Sequence, residues 1–175
     1  MLGSFKKAIF RVLCLGCVLI GGGLMAEPTH EELVLLGMLS YDKQDFSKAK
    51  EYFEKACELN NGGGCNGLGV LYKDGQGVEK NLTKAAYFYS KACELKDGWG
   101  CNNLGDSYQN GEGVEKDLTK AAQFYSKACD LNNNKGCFNL GALYLEKDSK
   151  KATALFEKAC KLGEQLACES LKELR

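Results

Sequence analysis

The sequence predicts an all-α protein, a disulfide-stapled α-solenoid of antiparallel helical hairpins. The first reason is a motif, A-C-x7-C, that occurs four times. The second is its spacing, because the first cysteines of successive copies are 36, 36 and 31 residues apart, and a fixed period of this length is typical of stacked repeats. The third is that apolar residues within each period recur at helical spacing. The four copies begin at Ala56, Ala92, Ala128 and Ala159.

The two central repeats show how each period divides into helices. Residues 65–100 and 101–136 align without gaps and are identical at 23 of 36 positions. Their first block, C-N-x-L-G-x2-Y, predicts a helix A, since Leu68 and Tyr72 lie four residues apart and therefore share a face. The glycines of the following G-x-G-V-E-K segment are expected to end this helix and form a loop.

The second block of each repeat predicts a longer helix B. Its start is expected at Asn81 in one repeat and at Asp117 in the next, because Asn and Asp are favourable N-cap residues. Its apolar residues, which include Leu82, Tyr89 and Cys93, follow a period of 3.6 residues. Each repeat is therefore a hairpin of helix A and helix B.

The hairpins are predicted to fill residues 27–175 as one domain. The first unit is short and lacks a cysteine in helix A, and the last full unit lacks the G-x-G loop, so its helices are expected to meet through a turn at residues 147–149. An amphipathic helix over residues 164–174 is predicted to cap the array, because terminal units of solenoids have a face without a neighbour. The predicted units are residues 31–64, 65–100, 101–136 and 137–167.

Residues 1–26 have the composition of a secretory signal peptide. Three basic side chains precede an apolar run from Val12 to Ala26, and cleavage is expected after Ala26. An uncleaved anchor is the alternative, although the run is shorter than the ~20 apolar residues that a spanning helix needs. A lipid attached at Cys17 is a weaker alternative, and the C-x-x-C formed with Cys14 is interpreted as apolar filler within the signal.

The composition of the remaining chain limits its function. It holds 20 basic and 23 acidic residues, a net charge of −3, and no basic stripe of the kind that binds nucleic acid. His30 is the single histidine of the chain, which excludes sites that need several imidazoles, and we expect neither a metal nor a cofactor. Eight cysteines remain after export, and an even number in an exported chain predicts a disulfide framework.

Two cysteine pairings fit a stack of hairpins. One joins the end of helix B to the start of the next helix A, and the other joins the two ends within a unit, as in Cys65 with Cys93. The second pairing leaves Cys57 and Cys168 without partners, whereas the first uses all eight cysteines. The predicted bridges are Cys57–Cys65, Cys93–Cys101, Cys129–Cys137 and Cys160–Cys168.

The repeated motifs resemble a known group of proteins. The L-G-x2-Y of helix A and the A-x3-[FY] of helix B resemble the tetratricopeptide pattern, and the 36-residue period with its G-x-G-V loop is closer to Sel-like repeats. The regular A-C-x7-C adds a resemblance to the Helicobacter cysteine-rich protein family. The A-x3-[FY] pairs are Ala49/Phe53, Ala85/Tyr89, Ala121/Tyr125 and Ala152/Phe156.

This resemblance implies two functions. Members are secreted, disulfide-stapled solenoids, and some are described as penicillin-binding proteins with weak β-lactam hydrolysis. The alternative is a non-enzymatic scaffold that binds a peptide or a protein of the host or the cell envelope. The chain is expected to be a monomer in the periplasm or outside the cell, with no membrane attachment after signal removal.

No catalytic constellation accompanies the implied hydrolysis, and the catalytic residues are unknown from the sequence. A serine β-lactamase needs S-x-x-K together with S-D-N and K-T-G elements. Here Ser40/Lys43 and Ser47/Lys50 match S-x-x-K, but the other two elements are missing. A zinc enzyme is excluded because His30 is alone and the cysteines are assigned to bridges.

Asparagines beside the cysteines are the candidate binding residues. Stacked A helices are expected to line a concave surface, and an amide that both donates and accepts can hold a peptide backbone there. The other interpretation is that these amides hydrogen-bond between units. Trp99, next to a seam, is either a groove aromatic or packed against a disulfide, and the sequence favours packing. The candidates are Asn66, Asn102, Asn103 and Asn139.

Overall fold

The computed structural model describes residues 27–174, which form nine α-helices and no strand. The predicted signal peptide lies outside the described residues. Among the residues that the structure describes, no helix is both long and apolar enough to cross a membrane. The helices are α1 His30–Asp42, α2 Phe46–Glu58, α3 Gly62–Asp74, α4 Leu82–Glu94, α5 Gly98–Asn110, α6 Leu118–Asp130, α7 Asn134–Tyr144, α8 Ser149–Lys161 and α9 Gln165–Glu173.

The helices stack in sequence order as antiparallel hairpins. Helix A of each unit (α1, α3, α5, α7) packs on its own helix B (α2, α4, α6, α8), and each helix B packs on the next helix A. Successive A helices also pack on one another, while successive B helices hardly meet. The more closely spaced elements of a curved array lie on its inner side, so the A helices line the inner surface. The predicted all-α solenoid is confirmed.

The helix ends form where the turn chemistry predicts them. The side chains of Asn81 and Asp117 each accept a hydrogen bond of 2.9 Å from the backbone N–H three residues later, which confirms both N-caps. Gly75 and Gly111 end α3 and α5 with φ of 71° and 76°, a left-handed conformation that glycine adopts without strain. The prediction that helix B is longer than helix A is wrong for the two central repeats, since α3 to α6 have 13 residues each.

The repeat motifs correspond to one packing contact inside each hairpin. The glycine of L-G in helix A lies under the aromatic ring of A-x3-[FY] in helix B, and a Cβ added to Gly105 would stand 2.6 Å from Cδ1 of Tyr125. Any larger residue would displace the buried ring, and overpacking of this kind costs about 1–3 kcal/mol. The equivalent pairs are Gly37 with Phe53, Gly69 with Tyr89 and Gly141 with Phe156.

A second close contact joins one unit to the next beside each bridge. The backbone of Gly100 lies against the methyl group of Ala92, so that a Cβ at Gly100 would overlap it, and Gly64 with Ala56 and Gly136 with Ala128 repeat the arrangement. The four disulfides join the cysteines predicted, with Cα–Cα distances of 4.4 to 4.9 Å. They are Cys57–Cys65, Cys93–Cys101, Cys129–Cys137 and Cys160–Cys168.

The C-terminal end of the array departs from the central pattern in two ways. Helix α7 ends at Tyr144 and α8 starts at Ser149 after an Asp148 N-cap, so a short turn replaces the G-x-G loop. Helix α9 occupies the place of a further helix A, with Ala167 where the central units have glycine, and it packs on α8. The last amphipathic helix therefore has no unit beyond its outer side within the described residues, and its role as a cap stays a prediction.

Removing one internal bridge tests how much the seams stabilise the array. In the double variant Cys129→Ala/Cys137→Ala the unfolding free energy should fall by about 2–3 kcal/mol, because the closed loop of nine residues no longer restricts the unfolded chain. Urea unfolding followed by circular dichroism measures this loss.

The matched control is Cys160→Ala/Cys168→Ala at the cap. Because units of a solenoid contact only their neighbours, loss of the terminal bridge should fray α9 and change the main transition less. Equal unfolding midpoints for the parent and the internal variant would contradict a stabilising role of the seams.

Candidate ligand-binding groove

The inner surface is built from the exposed stripe of each A helix. On α5 and α7 the stripe recurs at positions i, i+4 and i+7, the spacing that places residues on one helical face. Because the A helices form the inner layer, these side chains border one continuous groove, which we call the inner groove. Its residues are Trp99, Asn103 and Asp106 on α5 and Lys135, Asn139 and Ala142 on α7.

Pairs of asparagine amides connect the A helices across two seams. The Nδ2 of Asn103 donates to the Oδ1 of Asn66 over 2.8 Å, and the Nδ2 of Asn139 donates to the Oδ1 of Asn102 over 3.0 Å. Both pairs are separated by 37 residues, one more than the repeat period. The structure thus places all four candidate asparagines at the seams, in the arrangement of the second interpretation.

Hydrogen bonding between the units leaves part of each amide available. Asn102 is only 2 % exposed, and its Oδ1 accepts the hydrogen bond from Asn139. The side chains of Asn66, Asn103 and Asn139 are partly exposed. Within residues 27–174 the Oδ1 atoms of Asn103 and Asn139 accept no hydrogen bond, and neither is a buried atom without a partner. A side-chain amide offers two donors and an oxygen with two lone pairs, so both oxygens can accept from a ligand. Ligand contact at these residues remains a prediction.

Asp106 joins the second amide pair and forms the most connected polar group of the inner groove. Its Oδ1 accepts from the hydroxyl of Tyr125 over 2.7 Å and from the Nδ2 of Asn139 over 3.4 Å, while its Oδ2 accepts from the Nδ2 of Asn102 over 3.2 Å. The equivalent positions in the flanking units are Val70 and Ala142. This network is therefore particular to the third unit.

Burial dominates the pKa of the Asp106 carboxyl and raises it, and the negative charge of Glu112 adds to the rise. The hydrogen bond from Tyr125 and the positive charges of Lys73 and Lys135 act in the opposite direction. The same burial, with the hydrogen bond to Asp106, raises the pKa of the Tyr125 hydroxyl, which therefore stays protonated and donates. Among the described residues no basic side chain lies within ion-pair distance of Asp106.

Trp99 lies on the same stripe, near the start of α5. It is 46 % exposed, and the Nζ of Lys135 on α7 stands 5.7 Å from its ring centroid. A cation at this distance from an indole is attracted to the ring face. The structure thus gives Trp99 the exposed position that the groove interpretation requires, although the sequence favoured packing.

A separate groove opens on the opposite side of the array, between α6 and α8. Its volume is about 390 Å³, and we call it the outer groove. Gln123 and Leu155 line it, whereas the preceding seam carries the bulkier Tyr87 and Phe124 at the equivalent positions. Other lining residues include Ser126, Tyr144 and Lys151. No motif of the sequence marks this groove, since its opening depends on side-chain size across two units.

The serine candidates do not meet their lysines. Ser40 lies near the end of α1 and Ser47 near the start of α2, and in the described chain neither hydroxyl forms a hydrogen bond, while Lys50 pairs with Glu54. The Nδ1 of His30 lies 2.9 Å from the amide of Asn61. Within residues 27–174 no group of three or more His, Cys, Asp or Glu side chains could hold a metal. No residue is assigned a catalytic role.

The fold and its Leu-Gly and Ala-aromatic contacts define a helical-repeat protein of the tetratricopeptide type. The chain belongs to the Sel1 repeat family, which it matches over residues 63–97, 100–133 and 135–164. Residues 30–62 match the tetratricopeptide repeat. The first unit therefore differs from the other units in the repeat model that it matches as well as in its length.

The chain is also similar to cysteine-rich proteins of Helicobacter pylori. It is 61 % identical to HcpC of strain J99 over 82 residues, which are 47 % of this chain and 28 % of that protein. It is 58 % identical to beta-lactamase HcpA of the same strain, over 47 % of this chain and 32 % of that protein. The chain thus spans about a third or less of the length of these curated relatives.

Solved structures of related proteins share the architecture. Helicobacter pylori cysteine rich protein B is 47 % identical with a TM-score of 0.60, over 73 % of this chain and 95 % of that one. A protective antigen of uropathogenic Escherichia coli with an SLR fold has a TM-score of 0.72 at 28 % identity, over 83 % of this chain and 33 % of that one.

The Tyr125→Phe variant tests the network around Asp106. Phenylalanine fits this position, since Phe53 and Phe156 occupy it in other units. Without the hydroxyl donor the carboxylate loses a stabilising hydrogen bond, so the pKa of Asp106 should rise further above that of an ordinary aspartate. Carboxyl-carbon NMR titration of both proteins measures the change.

Tyr89→Phe is the matched control, because within the described residues the Tyr89 hydroxyl bonds to no carboxylate and the equivalent side chain on helix A is Val70. It should leave the Asp106 titration nearly unchanged. An Asp106 midpoint that does not move in Tyr125→Phe would show that the hydrogen bond contributes nothing to the carboxylate.

Proposed function

We propose that the chain is an exported, disulfide-stapled scaffold that binds an extended segment of a peptide or protein along the inner groove. The observation that supports this most directly is a pair of water-accessible amide oxygens, those of Asn103 and Asn139 on adjacent A helices, which accept no hydrogen bond from any residue between 27 and 174. An extended chain presents a backbone N–H on each side at regular intervals, and these oxygens can accept from it.

The spacing of the amides fits an extended ligand. Packed helices lie about 8–10 Å apart, and an extended chain advances about 3.3 Å per residue. A segment that runs across α5 and α7 would therefore place two of its residues, a few positions apart, on Asn103 and Asn139. The side chains between them would face Asp106 and Ala142 on one side and solvent on the other.

The disulfides support the same function through rigidity. Each of the three seams between full units is fixed by a bridge and by a close alanine–glycine contact, so the asparagines are held in place before a ligand arrives. Binding to a preorganised surface avoids much of the entropy cost of ordering it. Such bridges persist in oxidising compartments, and we propose that the partner is a peptide or a host or cell-envelope protein met outside the cytoplasm.

A display selection tests peptide binding without assuming a partner. A library of random linear twelve-residue peptides is selected against the oxidised protein, and enriched peptides are titrated by fluorescence anisotropy. We expect Asn103→Ala/Asn139→Ala to weaken binding at least about fivefold, since two hydrogen bonds of about 0.5–1.5 kcal/mol each are lost.

Gln123→Ala, in the outer groove, is the control and should bind the enriched peptides as the parent does. The proposal fails if no linear peptide is enriched above an empty surface. It also fails if the asparagine variant binds as tightly as the parent while its unfolding midpoint is unchanged.

Binding of a β-lactam is a second candidate, favoured by the similarity to beta-lactamase HcpA. The outer groove is the place for it, because about 390 Å³ lies within the range of small-molecule sites. Ser126 offers the hydroxyl there, and Lys151 the positive charge for a ligand carboxylate, with its Nζ 3.8 Å from the ring centroid of Tyr144.

The second candidate predicts that the pure oxidised protein hydrolyses nitrocefin faster than buffer does. Ser126→Ala should then lower the rate at least tenfold, while Ser40→Ala and Ser47→Ala, which lie far along the chain from the outer groove, should not change it. A rate equal to that of buffer removes this candidate and leaves the scaffold function.

A further inference from the structure

We infer that Asp106 makes the inner groove selective for a basic residue, so that the bound segment places a guanidinium or ammonium group over the third unit. This inference depends on the peptide-binding function proposed above, and it names the chemistry of one residue of the ligand. Three observations support it: the position of the carboxylate, the lack of an ion pair to it within the described residues, and the apolar residues at the equivalent positions of the flanking units.

The first observation is position. Asp106 lies three residues after Asn103 on α5, on the same exposed stripe, and its Oδ1 lies 3.4 Å from the Nδ2 of Asn139 on α7. The carboxylate therefore lies beside both of the amides that are available to a ligand backbone. A segment held by both amides would pass directly over it.

The second observation is the hydrogen-bonding state of the carboxylate. Three neutral groups donate to it, from Tyr125, Asn102 and Asn139, and a carboxylate can accept about four hydrogen bonds. These bonds fix its orientation without neutralising its charge. An ion that is partly desolvated and lacks a counter-ion is poorly stabilised, and a cation supplied by a ligand would correct this.

The neighbouring lysines do not supply that cation. Lys73 and Lys135 lie close enough to lower the pKa of Asp106, yet neither reaches ion-pair distance within the described structure. The Nζ of Lys135 stands instead over the ring of Trp99. A further positive group can therefore approach the outer side of the carboxylate.

The third observation is that the flanking units offer no such partner. Val70 and Ala142 occupy the equivalent positions, so this one position of helix A carries a carboxylate in the third unit and an apolar side chain in the units on both sides. A positively charged side chain of the ligand would therefore find a carboxylate at this position in the third unit only. The groove thereby fixes the register of the ligand as well as the identity of one residue.

Two blocked pentapeptides test the inference, one with arginine at the centre of four alanines and one with the uncharged isostere citrulline in its place. They are titrated into the full chain, and binding is followed by the side-chain amide signals of Asn103 and Asn139 and the backbone signal of Asp106 in nitrogen-15 NMR. We expect the arginine peptide to bind at least tenfold more tightly, with a preference that shrinks as salt rises.

The variants are Asp106→Asn, which keeps the shape, and Asp106→Ala, which copies the residue of the fourth unit and serves if the asparagine variant folds poorly. Either should reduce the arginine preference to less than twofold. Asp130→Asn removes the same charge from the exposed end of α6 and should keep the full preference.

Each other outcome decides against the inference. Equal binding of both peptides, still weakened by Asn103→Ala/Asn139→Ala, would leave the peptide clamp in place and overturn the role of Asp106. Loss of the preference in Asp130→Asn as well would assign it to overall charge. Absence of binding by both peptides would overturn the inference and count against the clamp itself.

Discussion

The structure depends on how closely the end of each helix B meets the start of the next helix A. At the central seams an alanine methyl group rests on a glycine backbone, and the cysteines that follow them are bridged. The glycine is needed because no Cβ fits there, and the Cα atoms of the bridged cysteines stand only 4.4 Å apart at two of these seams. The motif A-C-x6-G-C therefore describes one joint, and its period is the period of the array.

The curvature and the inner groove follow from this joint. It fixes the distance and angle between units, and the L-G and A-x3-[FY] contact fixes the two helices within a unit. Since successive A helices pack together and successive B helices hardly meet, the units bend the array in the same direction. Residues at equivalent positions of helix A then line up, and the amide pairs 37 residues apart are one result of that alignment.

Repetition explains what could be predicted from the sequence and what could not. The helices, the N-caps at Asn81 and Asp117 and the cysteine pairing follow from positions that recur, so each copy supports the others. The network of Asp106 with Tyr125 occurs once and joins different helices, so no periodic signal marks it. The asparagines could be predicted because they recur beside the cysteines. Their offset pairing could not, because it depends on the angle between adjacent A helices.

The energetics of Asp106 argue that its place is functional. Its pKa in the folded protein is raised above the unfolded value, so the folded state binds the proton more tightly. Its contribution to stability is therefore fully present below the unfolded pKa and is lost as the pH rises through the folded pKa. At neutral pH the carboxylate destabilises the fold relative to an unburied one, although Val70 and Ala142 show that the scaffold accepts apolar residues at this position. A charge that lowers the stability of a site, and that a positively charged ligand would stabilise, is typical of a binding surface rather than of a packing position.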